Sequence, residues 1–249
     1  MSVSIHFAPR QYRIGLIVPS SNTNVEPDFN LVCPAGITVH SARSGGYDVE
    51  AIPDSDEMRK FVRTSLDQNL SDLKDARVDV IAYGCTSATL SEGPVFDDEF
   101  SKKITADTGI PAITTAGALV EAIKGMGVRQ VSFTSPYVKR LSREATDYLV
   151  ASGISVLKEV AFDKELSSLE QNALTPQDAF DMALKANHDD AEAVVISCTD
   201  YRALEAIEAI EKALDKPVIT SNQALIYACL KRLGVSTQDI SGAGRLFDL

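Results

Sequence analysis

Short runs of apolar and β-branched residues alternate along this chain with longer segments in which apolar residues recur at helical spacing. Eight runs have the length and composition of strands: residues 14–18, 37–40, 78–83, 109–115, 130–134, 154–160, 193–197 and 217–222. Helical periodicity fills the intervals at residues 56–75, 97–106, 116–126, 138–151, 177–187, 203–214 and 223–233. Because strands buried on both faces of a parallel sheet are short and apolar throughout, the pattern predicts an α/β fold.

The order of these elements is repeated within the chain. Arg13 precedes Cys85 by 72 positions, and Arg129 precedes Cys198 by 69 positions. Two stretches of similar plan predict two similar parallel-sheet α/β halves related by a pseudo-twofold axis, with the active site in the cleft between them. The expected halves are residues 1–115 together with 221–249, and residues 116–220.

Two of the predicted strands end in a cysteine. Cys85 follows the apolar run 78–83, Cys198 follows the run 193–197, and a threonine comes next in both places. The carboxyl edge of a parallel sheet is where open α/β folds bind ligands, and a helix that begins there would favour a thiolate. A free cysteine is also a common small core residue. Since both cysteines stand at matching strand ends, the sequence favours a chemical role for the pair.

Composition and charge exclude several classes of function. The chain has 249 residues, 45% of them hydrophobic, and a net charge of −11, which disfavours nucleic acid and anionic membranes as partners. No apolar run approaches the ~20 residues that span a bilayer. The cysteines and histidines lack metal-ligand spacing, so we expect no metal. The N-terminus has no signal-peptide core and the four cysteines suit a reducing compartment, so we expect a cytoplasmic protein.

Five motifs spread along the chain carry a resemblance to a known family. They are Val18-Pro19-Ser20-Ser21-Asn22, Tyr83-Gly84-Cys85-Thr86-Ser87, Ser135-Pro136-Tyr137, Ser197-Cys198-Thr199 and Thr220-Ser221-Asn222-Gln223-Ala224. With these motifs the chain resembles the Asp/Glu racemase superfamily and, within it, most of all the maleate cis-trans isomerases. The resemblance implies a two-domain α/β fold, a small carboxylate substrate and an active site without a cofactor. It also implies a homo-oligomer, a dimer or a tetramer.

The resemblance assigns roles to individual residues. Cys85 is implied as the nucleophile, Cys198 as the residue that handles the proton, and Asn22 and Tyr137 as groups that hold the substrate. The expected substrate-binding residues are Ser20, Ser21, Asn22, Thr86, Ser87, Tyr137, Thr199 and Asn172. Ser167 or Ser168 could take the place of Asn172. The segment Asp200-Tyr201-Arg202 departs from the residues usual in the family, which bears on the identity of the substrate.

The chemistry expected of such a site is isomerisation of a maleate-like dicarboxylate to its fumarate-like isomer. A thiolate adds to the double bond, the new single bond rotates, and elimination gives the trans product. Since the protein is acidic, the substrate carboxylates must be held by backbone N–H groups and neutral side chains. One alternative is a two-cysteine racemase for an Asp/Glu-type amino acid, in which Asp200 would hold the ammonium group. A decarboxylase of the arylmalonate type, which keeps one cysteine, and a non-catalytic binding protein are less favoured.

Overall fold

The computed structural model describes residues 11–46 and 48–249 of the chain. Residues 1–10, on which the expectation of a missing signal peptide rested, lie outside the described residues. Within the described part no helix has the length and apolar character needed to cross a membrane. Buried side chains from Ile14 to Phe247 join in one continuous hydrophobic core.

The described residues from 11 to 125 form a four-stranded parallel sheet and its helices. The elements are β1 Tyr12–Pro19, α1 Val25–Val32, β2 Ile37–Ser44, α2 Ser55–Phe61, α3 Leu66–Asp75, β3 Val80–Tyr83, α4 Thr86–Leu90, α5 Pro94–Thr108, β4 Ala112–Thr114 and α6 Thr115–Gly125. The strand order is β2-β1-β3-β4, and every neighbouring pair is parallel. The central strand β3 is buried along its whole length, which is why its sequence is apolar throughout.

The second sheet repeats the first strand for strand. Its elements are β5 Gln130–Ser135, α7 Lys139–Ala151, β6 Ser155–Ala161, α8 Ser168–Asn172, α9 Pro176–Ala186, β7 Ala193–Ile196, α10 Ile207–Leu214, β8 Val218–Thr220 and α11 Ser221–Arg232. The order is β6-β5-β7-β8, again all parallel, so β7 is the counterpart of β3. The predicted α/β fold of two similar parallel-sheet halves is confirmed.

Helices α6 and α11 join the two halves. Each follows the fourth strand of its sheet, and the hydroxyl of the preceding threonine caps it: Thr114 accepts from the Gly117 N–H and Thr220 from the Gln223 N–H. The two helices pack against each other, α11 also contacts β3 and β4 of the first sheet, and α6 contacts β8 of the second. These contacts cross between the two sheets. The division of the chain into one half of residues 1–115 with 221–249 and another of residues 116–220 stays a prediction.

Helices α1 and α8 were not expected from the sequence, and other elements differ from the expectation in their bounds. The helical stripe over residues 56–75 is divided into α2 and α3, because Ser65 adopts a left-handed conformation with φ of 56° that interrupts the helix. Strand β2 continues to Ser44, beyond the apolar run 37–40. It lies at the edge of the sheet with half-buried side chains, so the apolar signal fades while its pairing with β1 continues.

Candidate active site

One cavity lies at the carboxyl ends of β1, β3 and β7. The space between its walls, including its opening to solvent, is about 440 Å³. The residues that line it are Pro19, Ser21, Asn22, Met58, Phe61, Cys85, Thr86, Ser87, Tyr137, Ser168, Gln171, Cys198, Thr199 and Asp200. Both halves therefore contribute, and both strand-end cysteines face the same space.

Cys85 is placed by the end of β3 and the beginning of α4. Its backbone is extended, with φ of −140°, and it occupies the N-cap position of the short helix. Gly84 allows this close passage, since a Cβ atom there would lie 2.9 Å from the carbonyl oxygen of Ile17. The Cys85 Sγ lies 3.7 Å from the Ser87 Oγ. The thiol is thus directed toward the first N–H groups of α4.

Cys198 is held differently, although it follows the equivalent strand. Its φ is 117°, a conformation that L-residues rarely adopt and that stores strain. The Cys198 N–H donates to the Ser221 Oγ at 3.1 Å, and the Asp200 N–H donates to the Cys198 Sγ at 3.4 Å. No helix begins directly after this cysteine, because regular structure resumes only with the 3₁₀ turn Leu204–Ala206. The expected helix N-terminus is therefore present at Cys85 and absent at Cys198.

Hydrogen bonds tie the two cysteine loops together. Asn22 Nδ2 donates to the Thr199 Oγ1 at 3.1 Å, and the Thr199 hydroxyl donates to the Gly84 carbonyl at 3.0 Å. On the other side, the Thr86 hydroxyl donates at 3.0 Å to the Ser221 Oγ, which also accepts the Cys198 N–H. Since all of these groups are buried or nearly so, the relative position of the two thiols is fixed by the fold.

Tyr137 supplies a neutral polar group to the cavity. Its ring is buried and its hydroxyl is hydrogen-bonded to the Ser197 Oγ at 3.2 Å. Burial, together with the neighbouring thiols Cys198 and Cys85, raises the pKa of Tyr137 well above its ordinary value. The phenol therefore stays protonated and can donate a hydrogen bond to an anion.

Two of the residues expected from the sequence lie elsewhere. Ser20 is exposed and does not line the cavity, because its position at the end of β1 turns it toward Gly45. Asn172 also lies outside the lining, where its Nδ2 donates to the Asp200 Oδ1 at 2.7 Å. Of the residues considered in its place, Ser168 lines the cavity, and Ser167 instead caps α8.

Further lining residues were not singled out from the sequence. Gln171 lies on α8 one turn after Ser168, on the same helix face, and its Oε1 is 3.9 Å from the Cys198 Sγ. Met58 and Phe61 come from α2, which the break at Ser65 separates from α3. The sequence signals for α8 are the capping-box spacing of Ser167 and Glu170 and the helical spacing of Ser168 and Gln171.

Burial makes both thiols weak acids, contrary to the expectation that their surroundings lower the pKa. It raises the pKa of Cys85 to about 11, although the backbone N–H groups of Ala88 and Ser87 act in the opposite direction. Burial and then the negative charge of Asp200 also raise the pKa of Cys198. Among the described residues that line the cavity there is no lysine, arginine or histidine to offset these effects.

The geometry provides two thiols, a tyrosine hydroxyl and several neutral donors around a space suited to a small acid. A thiol on each side can add to an unsaturated carbon or move a proton at it. Cys33 and Cys229 are free thiols that lie outside the cavity. No group of three or more His, Cys, Asp or Glu side chains in the described ranges is arranged to hold a metal ion.

Comparison with known proteins identifies the family. The family model for arylmalonate decarboxylase matches residues 14–247. The maleate isomerase of Alcaligenes faecalis is 31% identical over 251 residues, which cover 95% of this chain and 96% of that protein. A cysteine-to-alanine variant of the maleate isomerase Iso from Pseudomonas putida S16, crystallised with maleate, superimposes with a TM-score of 0.86 at 31% identity, covering 95% of this chain and 97% of that one. The predicted resemblance to maleate isomerases is confirmed, and the chain belongs to the family of arylmalonate decarboxylases and maleate isomerases.

Proposed function

We propose that this protein is a cofactor-independent cis-trans isomerase of a small unsaturated dicarboxylate of the maleate type. The observation that carries the proposal is that Cys85 and Cys198, from equivalent strands of the two halves, line one cavity surrounded by neutral hydrogen-bond donors. The maleate isomerases of Alcaligenes faecalis and Geobacillus stearothermophilus, at 31% and 30% identity over almost the whole chain, support the same reaction.

In the proposed mechanism Cys85 acts as the nucleophile. Cys85 first releases its proton to solvent water, which returns a proton to it at the end of the cycle. The thiolate adds to one alkene carbon, the π bond breaks, and its electron pair moves to the other carbon and into the adjoining carboxylate. Cys198 gives its proton to that carbon and takes it back after rotation about the new single bond. The C–S bond then breaks, the double bond re-forms in the trans geometry, and both cysteines return to their starting state.

The neutral donors stabilise the charge that develops on the carboxylate during addition. Asn22 and Tyr137 line the cavity and keep a hydrogen for the substrate: Asn22 Nδ2 has a second N–H besides the one that it gives to Thr199, and the Ser197 hydroxyl can donate to the Tyr137 oxygen. Thr86 and Thr199 also line the cavity, but their hydroxyl hydrogens go to Ser221 and to the Gly84 carbonyl, so these two residues hold the neighbouring donors in place. Donors that are held in place before the reaction need little reorganisation when the charge appears. Ser21 and Ser87 complete this predicted set of substrate-binding groups.

Proton NMR in D₂O tests the proposal directly. Purified protein with maleate should produce the trans alkene signal of fumarate, and Cys85→Ser should abolish the conversion because an alkoxide is much harder to form than a thiolate. Cys33→Ser is the matched control, since Cys33 lies outside the cavity, and it should keep the activity. Absence of any conversion by the wild-type protein, or full activity of Cys85→Ser, would contradict the proposal.

One observation favours a second candidate, a racemase for an Asp/Glu-type amino acid. Asp200 lines the cavity, where its carboxylate could bind the ammonium group of an amino acid. The same NMR experiment with aspartate and glutamate separates the two functions, because a racemase exchanges the α-proton for deuterium without changing the carbon skeleton.

The cellular location and the assembly state are also proposals. A cytoplasmic location agrees with four free thiols, which a reducing compartment would preserve. A homo-oligomer, either a dimer or a tetramer, is expected from the family resemblance. Light scattering on the eluate of a size-exclusion column would measure the mass of the assembly against the 26.8 kDa chain.

A further inference from the structure

Asp200 lines the cavity, and a hydrogen-bond network fixes its carboxylate. The residue is 9% exposed and stands two positions after Cys198. Its Oδ1 accepts a hydrogen bond from Asn172 Nδ2 at 2.7 Å and another from Asn24 Nδ2 at 3.2 Å. Asn24 Nδ2 also lies 3.1 Å from the backbone carbonyl oxygens of Asp200 and Asn172. This network holds the carboxylate at a defined place beside the second thiol.

The same network favours the ionised form of Asp200. Burial raises the pKa of Asp200 to about 6, whereas hydrogen bonds from Asn172, the Thr23 N–H and Asn24 act to lower it. The carboxylate is therefore negative at pH 8. The charge of Arg43 also lowers this pKa, but the Arg43 guanidinium is bound to Glu26 and to the carbonyl oxygens of Ser20 and Asn22.

The other titratable groups that line the cavity are Cys85, Tyr137 and Cys198, and burial favours the neutral form of each. A dianionic substrate would thus bring two carboxylates into a small space in which the ionised lining residue, Asp200, is also negative. One carboxylate can be held by the neutral donors near Asn22 and Tyr137. A second carboxylate facing Asp200 would be repelled, whereas an N–H or O–H donor at that end would find an acceptor.

We propose that Asp200 makes the cavity select cis-butenedioic acid derivatives in which one end is a carboxylate and the other is a neutral hydrogen-bond donor. The mono-amide, maleamate, is the simplest member of this class at neutral pH. The inference rests on the proposed isomerase function and specifies its substrate class. Asp200 acts here as a specificity-determining residue, and the addition of Cys85 to the double bond is unchanged.

The test compares maleamate with maleate at pH 8 as substrates of the wild-type protein, Asp200→Asn and Asp190→Asn. The wild type should favour maleamate in kcat/KM by about tenfold or more. Asp200→Asn keeps the shape and an acceptor for Asn172, and it should reduce that preference by about tenfold, mainly through better use of maleate. Asp190→Asn removes the same charge from an exposed side chain (83% exposed) near the opposite edge of the second sheet and should leave the preference unchanged.

Isothermal titration calorimetry measures the affinities of the saturated analogues succinamate and succinate, and so gives the same comparison without turnover. If neither cis acid is isomerised but succinamate binds about tenfold more tightly, the proposed function fails and the selectivity stands. The inference is overturned if the wild type prefers the dianion in both measurements, a result that does not depend on any variant. It is equally overturned if a folded Asp200→Asn shows the wild-type preference within twofold.

Discussion

The acidity of the Cys85 thiol leads to a quantitative prediction about its reactivity. Burial raises its pKa to about 11, against about 8.5 for an unperturbed cysteine. At pH 7.5 the thiolate fraction is then about 3 in 10,000, compared with about one in ten for a free thiol. The higher basicity makes the Cys85 thiolate about tenfold more nucleophilic, with a Brønsted coefficient of ~0.4–0.5. Alkylation of Cys85 by iodoacetamide should therefore be about 30-fold slower than that of a cysteine in a short uncharged peptide with blocked termini at pH 7.5.

The assay measures the labelling rate at Cys85 by peptide mass spectrometry between pH 7 and pH 10. We expect the rate to rise nearly tenfold per pH unit without a plateau, since the whole range lies below the pKa. Cys85 should be labelled before Cys198, Cys33 and Cys229, because burial raises the pKa of those three thiols further, that of Cys33 to about 12. A plateau below pH 9, or a rate at pH 7.5 equal to that of the free thiol, would refute this account of the thiol.

Three further comparisons of variants test other parts of the protein. Asn22→Ala should lower kcat/KM by about one to two orders of magnitude in the NMR assay, because it removes a buried donor. Arg202→Ala should change kcat/KM by less than twofold, because the Arg202 guanidinium pairs with Glu205 at 2.9 Å outside the cavity. Equal losses would indicate a cationic carboxylate clamp. Burial raises the pKa of Asp28 to about 7, so the folded protein binds this proton more tightly than the unfolded chain and loses stability as the pH rises from 5 to 8. Asp28→Asn should remove about 2 kcal/mol of that loss in urea unfolding, and equal pH dependence of the two proteins would contradict it. Cys198→Gly should be about 1 kcal/mol more stable than Cys198→Ala in the same measurement, because glycine adopts a φ of 117° without strain; the opposite order would show that Cys198 is unstrained.

The strands could be predicted from the sequence where every residue of the strand is buried. Strands β3 and β7 are buried at every position, and their continuous apolar runs are the direct consequence. The half-buried edge strand β2 gave a shorter signal than its true length. The break between α2 and α3 could not be read from periodicity, because the apolar stripe continues through Ser65 and only the backbone conformation of that residue divides it.

The site was predictable where topology alone brings residues together. Parallel strands end at the same edge of a sheet, so Asn22 and Cys85 could be placed near one another, and the pseudo-twofold repeat brings Cys198 from the second sheet to the same cleft. Residues from α8 were ambiguous, since which of several neighbouring polar residues faces the cavity depends on the rotation of a five-residue helix. The pKa values of the thiols could not be predicted from the sequence either, because they depend on how completely the folded chain excludes water from each sulfur.

The two cysteines occupy equivalent places in the repeat, yet their surroundings are unequal, and this asymmetry bears on their roles. Cys85 occupies the N-cap position of α4 with an extended backbone, and the N–H groups of Ser87 and Ala88 favour its thiolate. Cys198 has a strained backbone, no following helix and one backbone N–H, that of Asp200, at its sulfur, and burial and the charge of Asp200 raise its pKa above that of Cys85. A group that must become an anion and attack carbon is better served by the first environment. A group that must keep a proton until a carbanion forms is better served by the second, so the geometry favours Cys85 as the nucleophile and Cys198 as the acid.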